Sequence, residues 1–408
     1  MDQETANALF DNGAIVLFLD APSNMEFGVD CYSWTTGPIF KGLKLIPPGM
    51  HFIYYSAVNR MGESTAIRTG FWVNFLPRQV LVKRWNPATE DVFADDELDE
   101  EETNRFRTNF RDFDRFLGVY PLLPIDGDPI SPYQKWLRLS THITPDIAKR
   151  VLPQSGKISA MSCVSRFSDV DETRPEFRSR GVIRAEQKEA TVDSMDIVPS
   201  QSSTSVPNTA NKTTALPVEV LQLTFTPIDL KRSFPPGASG VELTKYSIDK
   251  SYLLAQALKL HYKDYKDLLG ELQLSFIIFL IGEVYDGYEQ WKTLVHLLCQ
   301  SAEAIGQYGC TLFPEFIEIL IKQLKVHPSD FFMDALSGDN FIRSNILLLS
   351  QTLRDRDSPV PKLLQDAMQT LLDFVDMRFK WDVRQEARLT QMDEEDDEGE
   401  YAPVVVEL

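Results

Sequence analysis

Residues 41–57 read KGLKLIPPGMHFIYYSA. Two strand-like runs, 41–46 and an aromatic-rich 50–57, flank Pro47-Pro48-Gly49, and proline with glycine marks a sharp turn. Outward from it, Ala14–Leu19 is a continuous apolar run that suits a buried strand. Residues 70–76 and 80–85 make a further pair around Pro77-Arg78. Such short spacings favour an antiparallel sheet over alternating strands and crossover helices.

The period then changes. Phe106, Phe110, Phe113 and Leu117 recur at steps of four, three and four, the apolar stripe of one helix. Arg105, Arg107, Arg111 and Arg115 lie beside it. A basic–aromatic mixture can contact RNA, but helical periodicity accounts for the aromatics, and acids at 101, 102, 112 and 114 offset the arginines. Thr144-Pro145-Asp146 starts another helix: a capping hydroxyl, proline at the first helical position, then an acid. That helix ends by Pro153, giving a mainly antiparallel β domain with packed helices over 1–153.

Residues 154–218 lack core material. No Phe, Tyr or Trp occurs between Phe177 and Phe225, and 199–214 is almost wholly polar, the composition of a linker. Ser168, followed by Asp169 and Asp171, sits in an acid-directed kinase context.

From 219 to 392 the pattern is helical. Residues 221–226 read as a last strand or a packed extended segment, and Pro235-Pro236-Gly237 sets them off. Helices are predicted near 247–261, 264–284, 287–305, 309–325, 328–337, 339–356 and 361–380, with Ser358 capping the last. Short connections favour an all-α domain, either a compact bundle or a superhelical stack, and the lack of a clean repeat argues against a true solenoid. The fold class is α+β in two domains.

The chain ends in seven acids over 393–400, then Tyr401, Ala402, Pro403, Val404, Val405, Val406, Glu407 and Leu408. Three β-branched residues in a row favour an extended backbone, whose amides and carbonyls need a neighbouring strand. Docking back on the same chain and adding to a partner's sheet are both open.

The chain has 408 residues and a net charge of −19, but seven acids fall in 95–102 and seven in 393–400. Without those fourteen the body carries about −5, which argues against a global field for nucleic acid. The acidic start does not read as a secretory leader, no apolar run is long enough to span a bilayer, and four scattered cysteines suit a reducing compartment.

Catalytic and cofactor motifs are missing. There is no glycine-rich phosphate loop, no HExxH and no GxSxG. His296 and Cys299 share a helical face, with Cys310 beyond, but without paired ligands the segment reads as an ordinary amphipathic helix and no metal is expected. The strand-like tail and the missing motifs point to an interaction protein rather than an enzyme, the alternative being a hydrolase or transferase whose site lies between the two domains.

Several blocks together resemble one family. They are EFGVD at 26–30, KGLKLIPPGMHF at 41–52, FLGVYP at 116–121, ELTK at 242–245, LGELQ at 269–273, GEVY at 282–285, FKWD at 379–382 and APVVVEL at 402–408. In this order they resemble the Aar-two splicing-factor homologue family. The resemblance implies a non-enzymatic assembly chaperone of the U-five small nuclear ribonucleoprotein, cytoplasmic and nuclear, with no cofactor. It implies binding to the RNase H-like and Jab/MPN domains of the spliceosomal scaffold Prp-eight, which blocks premature entry of the helicase Brr-two. It implies a helical domain similar to VHS domains. It also implies that a tail strand, here Pro403, Val404, Val405, Val406, Glu407 and Leu408, bridges the two scaffold domains.

Overall fold

Strand β1, Ala14–Leu19, is buried on both faces. In an extended chain successive side chains point to opposite sides. Ala14, Val16 and Phe18 therefore enter one core, with Phe27, Ile53, Tyr55 and Phe71. Ile15, Leu17 and Leu19 enter another, with Val82 and Leu117, against Phe106, Phe110 and Phe113. The computed structural model describes residues 12–58, 64–125, 127–160, 222–326, 340–356 and 358–385. The chain divides into two units, Met1–Cys163 with Glu219–Leu408, and Val164–Val218. The second unit lies outside the described residues.

Two five-stranded sheets stack in the N-terminal half. The first has the order β8-β7-β1-β4-β9, from β4 (Gly42–Ile46), β7 (Val80–Asn86), β8 (Asp91–Val92) and β9 (Gly118–Val119) around β1. The second has the order β10-β6-β5-β2-β3 and is antiparallel throughout, from β2 (Glu26–Val29), β3 (Tyr32–Thr35), β5 (Gly49–Val58), β6 (Ser64–Phe75) and β10 (Lys157–Ser159). The first sheet is mixed: β1 runs parallel to β7, and β4 parallel to β9. The Pro47-Pro48-Gly49 turn does not join hydrogen-bonded neighbours. It carries the chain from one sheet to the other, so β4 pairs with β1 while β5 pairs with β2 and β6. The chain then returns to β1 in the parallel sense.

The phenylalanine stripe breaks in two. Helix α1, Glu100–Thr108, is capped by Asp99, and a 3₁₀ segment follows over Phe110–Phe116. The aromatics still cover the outer face of the first sheet, as their spacing predicts. Next come α2 (Pro132–Leu139), opened by a Ser131–Gln134 capping box, and α3 (Pro145–Val151), whose Thr144 hydroxyl accepts from the Ile147 amide. Beyond Pro153, where the linker is predicted to begin, Lys157–Ser159 still pairs with β6 as an edge strand of the second sheet.

The helical half contains α4 (Val241–Ile248), α5 (Ser251–His261), α6 (Tyr265–Leu280), α7 (Tyr285–Cys299), α8 (Ile305–Tyr308), α9 (Leu312–Val326), α10 (Phe341–Arg354) and α11 (Lys362–Phe379). The helix predicted at 247–261 starts at Ser251, because Asp249 and Lys250 separate it from α4. The one predicted at 264–284 stops at Leu280, and Glu283 takes a left-handed φ of 58°. The one predicted at 287–305 stops at Cys299. Ser358 is exposed and does not cap α11, whose N-cap is Pro361 without a side-chain bond. The helix predicted at 328–337 lies outside the described residues. Residues 222–226 are extended without a strand, with Leu223 buried and the Thr224 amide bonded to Val151 O at 2.8 Å. No described helix is long and apolar enough to cross a membrane.

The largest core lies across the junction of the halves. Phe52, Tyr54, Trp72 and Ile158, on the outer face of the second sheet, join Trp136, Ile147 and Val151 and the interior of the helices. The central helix α6 is buried at every position from Leu268 to Ile278, including Glu271 and Gln273. Its Gly270 lets α6 approach closely: a Cβ there would stand 2.3 Å from His142 O. Glu271 is 0% exposed. It accepts from the Thr226 amide at 2.8 Å, the Thr226 hydroxyl at 2.7 Å, Gln290 Nε2 at 2.9 Å and Tyr262 OH at 3.1 Å. Arg150 from α3 completes the set at 2.5 Å. A buried carboxylate persists only when so fully bonded.

Candidate interaction groove

An open groove of about 1050 Å³ follows this junction. Its walls come from the β2–β3 turn (Asp30, Cys31), β5 (Tyr54), β6 (Arg68), α2, the end of α6, α9 and Thr370 of α11. On α9 the lining residues Glu318, Ile321, Lys322 and Lys325 fall at i, i+3, i+4 and i+7, one stripe of a helix. On α2, Trp136 and Leu139 point into the core while Lys135 and Arg138 meet the groove. Leu280, Ile281, Ile321 and Val326 add apolar surface between these cations.

Arg68 bolts the groove's inner end. Its guanidinium meets Glu26 at 3.0 Å on the sheet side, and Ile281 O at 2.8 Å and Glu283 at 3.2 Å on the helical side. It also lies 4.7 Å from the Tyr54 ring centroid. Burial pushes the Tyr54 hydroxyl up to about 12, against the opposing pull of Arg68. Burial likewise raises the Glu283 carboxyl, with Arg68 opposing. The Cys31 thiol is pushed well up by burial and by the neighbouring Asp30 charge, so it stays protonated and is a poor nucleophile. Lys135 is held by Asp128, and Lys322 by Glu318 at 2.8 Å. Arg138 and Lys325 are exposed, with no carboxylate in ion-pair reach among the described residues; Lys325 Nζ lies 5.6 Å from the Phe374 ring centroid.

Behind the groove, Asp30 and His51 form a pair with a catalytic look and no catalytic access. Both are 1% exposed. His51 Nδ1 faces Asp30 Oδ2 at 2.6 Å and Nε2 faces Pro47 O at 2.8 Å. A carbonyl only accepts, so Nε2 carries a proton. Tyr120 donates to Asp30 Oδ2 at 2.5 Å and the Phe52 amide to Oδ1 at 2.9 Å. Both ring nitrogens are engaged, leaving neither for a substrate. A general base needs reach to the proton it takes.

Among the described residues, the arginines, His296 and the cysteines singled out in the sequence are not gathered into one site. Pro403, Val404, Val405, Val406, Glu407, Leu408 and Ser168 lie outside the described residues. The arginines beside the stripe are engaged locally: Arg105 with Glu101 at 3.6 Å, Arg107 with Asn104 at 3.1 Å, and Arg111 and Arg115 over Phe110 and Phe116. His296 Nδ1 meets Asn345 Oδ1 at 2.9 Å, Cys299 is buried and Cys310 exposed. No cluster of three metal-ligating side chains occurs among the described residues. Sequence reasoning missed the groove, since its cations come from helices almost two hundred residues apart. It also missed Glu271, whose signal was a single charge within the mostly apolar stretch 268–281.

Comparison with known proteins agrees with this architecture. The AAR2 N-terminal domain matches residues 12–153, and the AAR2 C-terminal repeat region matches 225–384. A mouse (Mus musculus) protein titled Protein AAR2 homolog is 32% identical over 410 residues, covering 100% of this chain and 97% of its own. The chain belongs to the AAR2 family. The human (Homo sapiens) AAR2 homolog is 31% identical over 414 residues, with the same coverage. The A1 cistron-splicing factor AAR2 of Saccharomyces cerevisiae is 23% identical over 397 residues, covering 96% of this chain and 97% of its own. The AAR2 family blocks recognised in the sequence include residues now placed at the junction. LGELQ supplies Gly270, Glu271 and Gln273 of α6, and KGLKLIPPGMHF carries β4, the sheet-crossing turn and His51.

Proposed function

We propose that this AAR2 family member is a non-enzymatic splicing factor, an assembly chaperone of the U-five small nuclear ribonucleoprotein. In this reading it holds the RNase H-like and Jab/MPN domains of the scaffold Prp-eight together, and so delays entry of the helicase Brr-two. It works in the cytoplasm and the nucleus. The observation that carries the reading is the alignment over nearly the whole length with a yeast protein titled a splicing factor. The body suits the role. Two halves sharing one core make a stiff platform, and the buried His51–Asp30 pair is committed to structure.

The tail supplies the second contact. Residues 403–408 add a strand to an exposed sheet edge of the scaffold, where main-chain bonds give affinity. Residues 393–402 act as an acidic spacer, and 161–218 as a polar tether. Tethering makes the strand contact effectively intramolecular once the body is bound. Phosphate on Ser168 would add charge to that tether. The test is a pull-down with the purified scaffold domains, using the full chain and one lacking 393–408. Both domains should be retained by the full chain and at least one lost without the tail. Equal retention by both proteins removes the tail from the mechanism, and no retention by either overturns the reading.

A further inference from the structure

We propose that, when no partner is bound, residues 393–408 lie in the groove between the sheet half and the helical half of the same chain. The groove is then the resting site of the tail. The inference needs no particular partner and stands apart from the scaffold reading.

The groove asks for a ligand of mixed character. It offers apolar surface from Leu280, Ile281, Ile321 and Val326. Along it stand Arg138 and Lys325, neither balanced by a carboxylate among the described residues. The acids that line the groove are already committed. Asp128 and Glu318 hold Lys135 and Lys322, and Asp30 is buried on His51 and Tyr120. A purely anionic ligand would leave the apolar wall wet, and a purely apolar one would desolvate two cations. Residues 393–408, DEEDDEGEYAPVVVEL, put seven acids directly before an apolar strand-forming run. They carry both properties in one short segment.

The chain also starts in the right place. Arg384, next to the last described residue, pairs with Asp373 of α11 at 2.6 Å. Thr370 lines the groove three residues earlier on that helix, about 4.5 Å along its axis. Gln385, the last described residue, thus follows directly on a side chain anchored to the helix that carries a groove wall. Extended chain spans about 3.3 Å per residue, so reach is no constraint. A short flexible tether gives an effective concentration of about 1 mM. An intrinsic groove affinity of only about 0.1 mM then keeps the tail docked roughly ten-elevenths of the time. A partner competing for the tail would see its affinity lowered about tenfold.

Amide hydrogen exchange on the full chain tests this. At low salt, the Val404, Val405 and Val406 amides should exchange about tenfold slower than in a free peptide of residues 393–408. The slowing should persist on dilution and fade in high salt. Arg138→Glu with Lys325→Glu, both at exposed positions, should abolish it. A second variant, with Glu394, Glu395 and Glu398 changed to Gln, leaves the body untouched and should also weaken protection. Four results would each overturn the proposal. They are no slowing in the wild-type chain, slowing unaffected by either variant, slowing lost on dilution (the tail then sits on a second copy), and slowing retained in high salt. If the two reversals lower the melting temperature, the tail variant decides alone. Where scaffold domains bind, the groove reversals should raise tail capture about tenfold. Where they do not, the exchange result still stands, so the two readings fail separately.

Discussion

Asp30 and Glu271 are both carboxylates sealed from solvent, yet they do opposite jobs. Every Asp30 partner comes from the sheet half: His51, Phe52 and Tyr120. Glu271 gathers Arg150 from α3, Thr226 from the extended return, Tyr262 after α5 and Gln290 from α7. The first fixes the sheet half internally, joining β5 to the segment after β9, and the second ties together segments of both halves. Neither is an obvious source of net stability, because desolvating a carboxylate offsets most of what its bonds contribute. What each provides is a fixed arrangement.

This contrast can be broken by experiment. Glu271→Ala should give the largest effect. It removes the acceptor shared by a guanidinium, two hydroxyls and two amide groups, and should destabilise by about 3–5 kcal/mol in urea unfolding. Hydrogen exchange should accelerate in both halves. Asp30→Asn keeps the shape and should cost about 1–3 kcal/mol, with faster exchange confined to β2 and β5. Acceleration in α6 by Asp30→Asn would erase the distinction. Thr144→Ala removes the cap of α3, the helix that carries Arg150, and should cost about 1 kcal/mol in thermal unfolding.

The smallest effect is a pH dependence at the junction. His142 faces Glu315 at 3.4 Å. Burial lowers its pKa; Glu315 pulls the other way, and Lys266 and Lys322 add to the lowering. The unfolded chain therefore binds this proton more readily than the folded one. The resulting stability is complete above about pH 6.5 and is lost as pH falls below that value toward the folded-state pKa. His142→Gln should flatten this part of the stability curve, measured by denaturant midpoints at pH 7.5 and 5.5. An unchanged slope would assign the titration elsewhere.

Much of this was legible in local pattern. The apolar run of β1 announced burial on both faces, and Thr144-Pro145 announced a capped helix, because both depend only on near neighbours. The spacing of Phe106, Phe110 and Phe113 gave the right buried face even though the helix breaks at Asn109. Pairing was not legible. Nothing in residues 41–57 tells that β4 and β5 enter different sheets, since a strand's partner is chosen by packing far along the chain. The groove was hidden for the same reason. Lys322 and Lys325 mark a stripe on α9, but only the fold sets that stripe against Arg138.

The last strand before residue 161 and the first extended residues after 221 are both held by the body. Ile158 sits in the junction core, and Thr224 is bonded to Val151. A protease cut between those points would therefore separate the polypeptide without separating the molecule. The two fragments, each carrying half of one hydrophobic interior, should elute together and come apart only in denaturant.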